Sequence, residues 1–522
     1  MAMLEELTLD ASPSDAEPRV HGAPTASTYG APTADSSEIE LRIAGQESDQ
    51  VAAPSGAVPS LPSLWSGSPS GAEMDGNGLD DETQRFILET HMENIGLMDF
   101  LGFELASLAS QYTDYNFVPS VNGGGAAGMR GMSDAGAYIT TLKSFVGMGI
   151  LTLPFAATKG GYVLGPLILI LVAGLSHHCM TLLLNMSAAL RVKALSFGAL
   201  GKEICGPWAK QVVDYSLMLT QYGFAVADLI FIVENVRDVV CLETRQTACP
   251  SKAKLCVGVL AFLMPLAWLK SLQVLTVPVL MSNIVLMAGI SWVFYCSFEQ
   301  IGTSGPGQGL VAFNFSELPV FFGMAVFSFE GIGLVLPIQN AMKEPSHFPK
   351  ILRTSMIILG SLFSTFSFVG YVAYGAGTGD MIVFSIPQNK ITSFLRLFYC
   401  LGVSFTYPVM LFPVWGVTEG KCKCLKAARH WWRRLLFRTV LVILTGVIGM
   451  QIPHFGLFLG LIGSIACTLL AFVLPALFHL KRPDKSDAYP GEDAKDMALI
   501  AFGAIGGSVS FVLTLRDLIA TA

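Results

Sequence analysis

Two stretches of this 522-residue chain pair residue types that make chemical sense only together. Residues 147–154 read GMGILTLP and residues 331–337 read GIGLVLP. Each sets a Gly-x-Gly and then a proline inside an apolar run. A lone charge sits just upstream of each: Lys143 one turn before Gly147, and Glu330 directly before Gly331. Paired glycines weaken a helix and allow backbone angles outside it. Amides that open the following half-helix, around Gly149 to Leu151, would attract an anion. Carbonyls that close the half-helix before Glu330 would attract a cation. A site offering both ends suits a zwitterion. Glycines of this kind can also serve only close helix packing. Two matched copies 184 positions apart favour unwound backbone that lines a site.

The charged residues sharpen this reading, because ionisable groups inside apolar runs are costly and default to functional hypotheses. Glu330 could take up a proton or bind a substrate ammonium; it could also cap local amides or pair with Lys143. Lys143 is either a gate partner or a side chain that snorkels to the surface. Asp228, in a third apolar run, is either a proton carrier or the partner of a neighbouring helix. Glu330, Lys143 and Asp228 are therefore the coupling candidates. The residues expected to contact substrate are Val146, Gly147, Met148, Gly149 and Ile150 at the first glycine pair. Ser328, Phe329, Glu330 and Gly331 at the second complete the set with Tyr222, and Phe224 would share that wall. His177 and His178 fit a helix-packing hydrogen bond better than a proton relay, and Asp214 and Glu234 read as interfacial. No cysteine or histidine spacing resembles a metal site, no catalytic pair converges on the glycines, and no phosphate-binding loop is present.

What must position these residues is a set of membrane spans. The chain is 52% hydrophobic and only 14% charged, with mean hydropathy +0.56, against roughly a quarter charged in soluble domains. That composition excludes a nucleic-acid-binding domain and a coiled coil. Runs of about 20 apolar residues occur at 135–158, 162–190, 211–240, 254–270, 272–297, 318–341, 351–375, 391–415, 435–453, 455–480 and 497–519. The expectation is an all-α polytopic membrane protein of eleven transmembrane helices. With five spans between the two glycine motifs, the first runs outward and the sixth inward, the signature of an inverted repeat with discontinuous helices one and six. Residues 134–522 form this domain.

Residues 1–133 differ in kind. They hold 20 of the 39 acidic residues and four of the 32 basic ones, and residues 1–80 carry too few bulky apolar side chains to fold. This is an acidic, largely disordered tail, without the pattern of a secretory signal. Residues 81–108 have partly helical apolar spacing and are either a docking helix for a cytosolic partner or a transiently ordered stretch. Gly123-Gly124-Gly125 makes a hinge. Placing the tail in the cytosol puts Arg191, Lys193, Lys202, Lys210, Lys343, Lys350 and the run Lys421 to Arg438 on the same side, as the positive-inside rule requires. The sequon Asn314-Phe315-Ser316 then faces the other side. One disulfide among Cys241, Cys249 and Cys256 is plausible there, with the pair left open. Cys422 and Cys424 face the cytosol beside Trp431 and Trp432, either as acylation sites or as plain thiols.

The motifs KSFVGMGILTLPFA, GGYVLGP, SHHCM, FSFEGIGLVLPIQNAMKEP and FVLPALFHL, in that order over residues 134–480, resemble the amino acid/auxin permease family. Within it the chain is most similar to vacuolar neutral amino-acid exporters and proton-coupled amino acid transporters. The resemblance implies a leucine-transporter-type fold with a 5+5 inverted repeat, a cytosolic N-terminus and alternating access around spans one and six. It implies a multi-pass protein of a vacuolar or lysosome-like membrane, with the plasma membrane as the other option. It also implies a neutral L-amino acid as substrate and no cofactor beyond a coupling ion. That ion is a proton, or sodium at Ser404 and Thr406, where a sodium site lies in this fold. Animal proton-coupled members carry a histidine three residues before the span-one lysine. Thr140 stands there in this chain, so that route for the proton does not transfer. An amino-acid sensor signalling through the tail is the alternative function.

Overall fold

Ser133 begins the described membrane helices. Its Oγ accepts from the Gly136 N–H at 3.2 Å, capping orphan donors of the first turn, and α1 runs over Asp134–Phe145. The computed structural model describes residues 132–190, 196–244, 249–269, 275–421, 431–483 and 490–521. The acidic tail, its 81–108 segment, the glycine hinge and the Cys422–Cys424 pair lie outside the described residues. Helix α1 ends at Val146–Gly147, and a tight 3-10 turn, Met148–Thr152, leads into α2 (Leu153–Gly160). The two halves meet at a bend of 44°. Pro154 sits in the first turn of α2, where its missing N–H has no helical partner to lose.

There follow α3 (Leu164–Ala189), α4 (Phe197–Cys205), α5 (Pro207–Glu243), α6 (Lys252–Ala267) and α7 (Thr276–Ser304). Helix α8 (Leu318–Ser328) then breaks off; Phe329, Glu330 and Gly331 leave the helical path, and α9 (Ile332–Ala341) resumes it. The remaining elements are α10 (Phe348–Tyr374), α11 (Lys390–Lys421), α12 (Trp431–Gln451), α13 (Phe455–Leu480) and α14 (Glu492–Thr521). Both glycine motifs therefore fall at helix breaks.

Among the described residues nine helical segments are long and apolar enough to cross a membrane, or ten if the bent α1–α2 pair counts as one span. The eleventh expected span, 254–270, is met by α6, which has only 16 residues. At 1.5 Å per residue it covers about 24 Å, short of a hydrocarbon core of about 30 Å.

Cross-helix contacts fix directions. Trp292 Nε1 of α7 donates to Thr392 Oγ1 of α11 at 3.0 Å, and a Cβ at Gly402 would collide with Ser282; the two helices are thus antiparallel. Phe231 of α5 meets Tyr399 of α11 at 5.2 Å between ring centroids, while Asn235 of α5 meets Arg396, so α5 also opposes α11. At one end of the bundle Met132 pairs with the strand-like segment after α9: Met132 N–H donates to Ala341 O at 2.9 Å, and Lys343 N–H donates to Met132 O at 3.0 Å. The start of α1 and the end of α9 therefore share one face. The opposite end carries the Cys241–Cys249 disulfide, which answers the pairing the sequence left open; Cys256 is a free, buried thiol.

Candidate functional site

A cavity of about 200 Å³ lies between the two breaks and three long helices. Its walls follow helical periodicity. On α5 the cavity face is Gln221, Phe224 and Asp228; on α7 it is Val279, Ser282, Asn283 and Leu286; on α11 it includes Tyr399, Val403, Thr406 and Met410. Positions three and four apart share a helix face, so each helix presents a single stripe. The first break contributes Val146, Gly147 and Met148, with Thr140, Lys143 and Ser144 from α1. Glu330 and Gly331 come from the second break, followed by Gly333, Leu334 and Ile338 on α9. All of these extend the cavity toward the face where Met132 pairs with Met342.

The wall is mainly apolar, which makes its few polar groups decisive. Glu330 and Asp228 are 8% and 2% exposed. Glu330 Oε2, Asp228 Oδ2 and Asn283 Nδ2 are buried without a hydrogen-bond partner. A polar group buried that way costs free energy unless a ligand or proton satisfies it. Two carboxyl groups and one amide facing a common space therefore form a site built for something other than its own side chains.

Gly331 explains how the backbone comes so close. A Cβ there would lie 2.6 Å from Phe145 Cε1, so only glycine lets the end of α1 touch the second break.

Of the residues expected from sequence, Val146, Gly147, Met148, Glu330, Gly331, Lys143, Asp228 and Thr406 line the cavity, as does Phe224. Others lie elsewhere. Gly149 and Ile150 are buried inside the 3-10 turn. Ser328 Oγ donates to Met324 O at 2.9 Å within its own helix. Phe329 is 1% exposed and packs on Phe363 of α10 at 5.1 Å. The Tyr222 hydroxyl donates to Leu441 O of α12 at 3.1 Å, turned away from the cavity that its neighbour Gln221 faces. Ser404 Oγ donates to Cys400 O at 2.8 Å and Thr406 Oγ1 to Val403 O at 2.9 Å; only Thr406 reaches the cavity.

Gln221, Asn283 and Tyr399 belong to the site without having been singled out in the sequence. The spacing 221, 224, 228 was the available signal, since Asp228 anchors the stripe and a helical period then selects Gln221 over Tyr222. Arg396 was also visible as a lone charge in the apolar run 391–415. It lines a second void, of about 30 Å³, that shares Tyr399 and Leu286 with the main cavity.

The model for the transmembrane amino acid transporter protein family matches residues 131–516. Amino acid transporter AVT3B of Arabidopsis thaliana is 32% identical over 386 residues, covering 71% of this chain and 90% of the relative. Vacuolar amino acid transporter 4 of Saccharomyces cerevisiae is 28% identical over 405 residues, covering 70% of this chain and 56% of the yeast protein. Among solved structures, MhsT in complex with L-phenylalanine superposes with a TM-score of 0.45 at 13% identity, over 74% of this chain and 99% of that one. A Na+-coupled sialic acid symporter in its substrate-bound outward-open state gives 0.45 at 12%, over 80% and 96%. The family match takes in nearly all of the described helices, with both breaks and the cavity between them. The chain belongs to the transmembrane amino acid transporter family, a family of transporters rather than enzymes, and is an integral, multi-pass membrane protein.

Proposed function

We propose that the protein is a secondary active transporter that moves neutral L-amino acids across a vacuolar or lysosome-like membrane, coupled to protons, by alternating access around its two broken helices. The observation that carries this reading is the cavity between the breaks, with its unpartnered Glu330 and Asp228. Its volume of about 200 Å³ lies below the roughly 300–1,000 Å³ of pockets for drug-sized ligands, a size for one small solute. The substrate ammonium sits against Glu330, and the carboxylate against the free amides of the first break. When substrate leaves, a proton takes its place on Glu330, because a lone carboxylate in an apolar wall is otherwise uncompensated. Asp228, across the cavity, is the second proton carrier, and Lys143 stands at the exit toward the paired ends of α1 and α9.

The architecture belonging to this reading is an eleven-span, 5+5 inverted repeat with a cytosolic N-terminus, in which α6 completes the count. The relatives' names support an amino acid as the substrate, and the yeast relative's name supports the vacuolar compartment.

The test is uptake of a radiolabelled amino-acid panel into proteoliposomes, with proton and sodium gradients imposed separately. The expected result is accumulation of neutral amino acids under the pH gradient alone, lost at least about ten-fold in Glu330→Gln. Unchanged gradient-driven uptake by that variant removes Glu330 from coupling. Sodium-driven uptake would move the ion site to Thr406. Binding without flux would make the protein a sensor rather than a transporter.

A further inference from the structure

The lining of the main cavity runs from Thr140, Ile338 and Met410, nearer the face on which α1 begins, to Leu286 and Tyr399 at its other end. The first closing layer is aromatic: Phe231 of α5 and Tyr399 of α11 meet edge to face, 5.2 Å between centroids and 80° between planes. Behind them lies the void of about 30 Å³, room for about one water. Arg396 of α11 lines this void, and its side chain is only 2% exposed.

Arg396 holds the second layer together. Its Nε donates to Asn235 Oδ1 of α5 at 3.0 Å, and its Nη1 donates to Gln388 Oε1 at 2.7 Å. The same Nη1 pairs with Asp238 Oδ2 of α5 at 2.8 Å. Its guanidinium lies 4.8 Å from the centre of the Phe384 ring. One side chain thereby ties α5 to the segment that leads into α11. Two features separate this network from a static core. Asp238 is 42% exposed, so water already reaches the outer partner of a pair whose inner partner is dry. Arg396 Nη2 is buried with no acceptor, which leaves a cationic donor unspent beside the void. A charge held dry by a half-wet partner is released to water once the helices part, because hydration then replaces the ion pair.

We propose that Arg396, with Asp238, Asn235 and Gln388, is the gate that seals the substrate cavity on the face opposite the Met132–Met342 pairing. When it opens, the guanidinium exchanges Asp238 for the carboxylate of the amino acid in transit. The second step rests on the transport reading above; the seal itself does not.

The test uses the full chain in proteoliposomes with Thr406→Cys as a reporter in the cavity wall. A membrane-impermeant thiol reagent is added to one side at a time, and labelled peptides are identified by mass spectrometry so that native thiols are told apart. With the gate intact, labelling comes only from the face on which α1 begins. Asp238→Asn and Gln388→Ala should each raise labelling from the opposite face at least about ten-fold, and Asp238→Glu should restore the seal. Should Asp238→Asn not fold, Gln388→Ala, which leaves the Asp238 pair in place and gives up the Arg396 contact together with the Nε2 bonds to Val383 O and Ile386 O, gives the same reading. Labelling from the opposite face that stays at background in a folded Gln388→Ala or Asp238→Asn protein overturns the gate. Because labelling needs no substrate, absence of amino-acid flux in the unsubstituted protein would count against transport without touching the seal.

Discussion

At Gly331 the fit of the site is set by a single hydrogen. A Cβ there would stand 2.6 Å from Phe145 Cε1 and 2.7 Å from its Cζ, and a phenylalanine 7% exposed has little room to withdraw. Overpacking of this kind costs about 1–3 kcal/mol, and here it would push apart the two breaks that shape the cavity. Gly331→Ala should lower the uptake rate by about ten-fold in proteoliposomes. Gly174 of α3 is the matching control, since a Cβ there meets nothing within 4 Å; Gly174→Ala should transport as the unsubstituted protein does. Equal loss in both variants would place the effect on glycine content rather than on the Phe145 contact. The contrast between Gln221 and Tyr222 also belongs to this scale. Sequence draws attention to the tyrosine as an aromatic wall, yet a rotation of one residue sends its hydroxyl to the Leu441 carbonyl and gives the cavity to the glutamine.

Among the elements, the crossing of α8 with α13 decides how firmly the broken span is held. A Cβ at Gly323 would collide with the Gly460 carbonyl and lie 2.7 Å from Ser510 Oγ of α14, and one at Gly463 would collide with the Gly323 carbonyl. Small residues let helix backbones approach in membranes, where association depends on packing rather than on a hydrophobic drive. Directly after this crossing α13 widens into π-helical turns at Gly463–Cys467 and Leu469–Val473, a form found mainly as local bulges. Thr468 Oγ1 donates to Gly463 O at 2.8 Å there. Gly323→Leu should lower the apparent melting temperature in detergent by at least several degrees, since a branched side chain cannot enter a backbone-to-backbone contact. An unchanged melting curve would show that the crossing tolerates separation. Sequence periodicity located nearly all the helices, because a run of apolar residues bounded by charge or glycine is a local property. It did not foresee the wide turns of α13, which depend on a neighbouring helix pressing against Gly463.

For the whole molecule the deciding property is sidedness, and three independent features fall on one face. The Cys241–Cys249 disulfide closes the loop after α5. The sequon Asn314 sits between α7 and α8, where Ser316 Oγ donates to Asn314 Oδ1 at 2.8 Å. The Arg396 network lies at the same end. Disulfides persist in oxidising compartments, so this face should be the lumenal one and the paired ends of α1 and α9 the cytosolic one. In vesicles oriented as in the cell, a maleimide-polyethylene-glycol reagent should add mass at Cys241 and Cys249 only after reduction and only once detergent has opened the membrane. Double replacement by serine should cost about 2.5 kcal/mol of stability by loop-closure entropy. Thiols at these positions that react without reductant would place this face in a reducing compartment.

The sequence by itself determined that the chain is a helical membrane protein with two breaks, and where those breaks fall, because hydropathy, paired glycines and charge are written locally along the chain. It also brought Glu330, Lys143 and Asp228 forward, since a charge in an apolar run is conspicuous without any structure. Which residues share the cavity was decided only by the tertiary structure. Asn283, Gln221 and Tyr399 are distant in sequence and ordinary in type, and they meet because α5 and α7 run antiparallel to α11. Arg396 carries the same lesson. Its charge is legible in the sequence, but its meaning comes from Asp238, Asn235 and Gln388, three partners that only the packing of α5 against the start of α11 brings to one guanidinium.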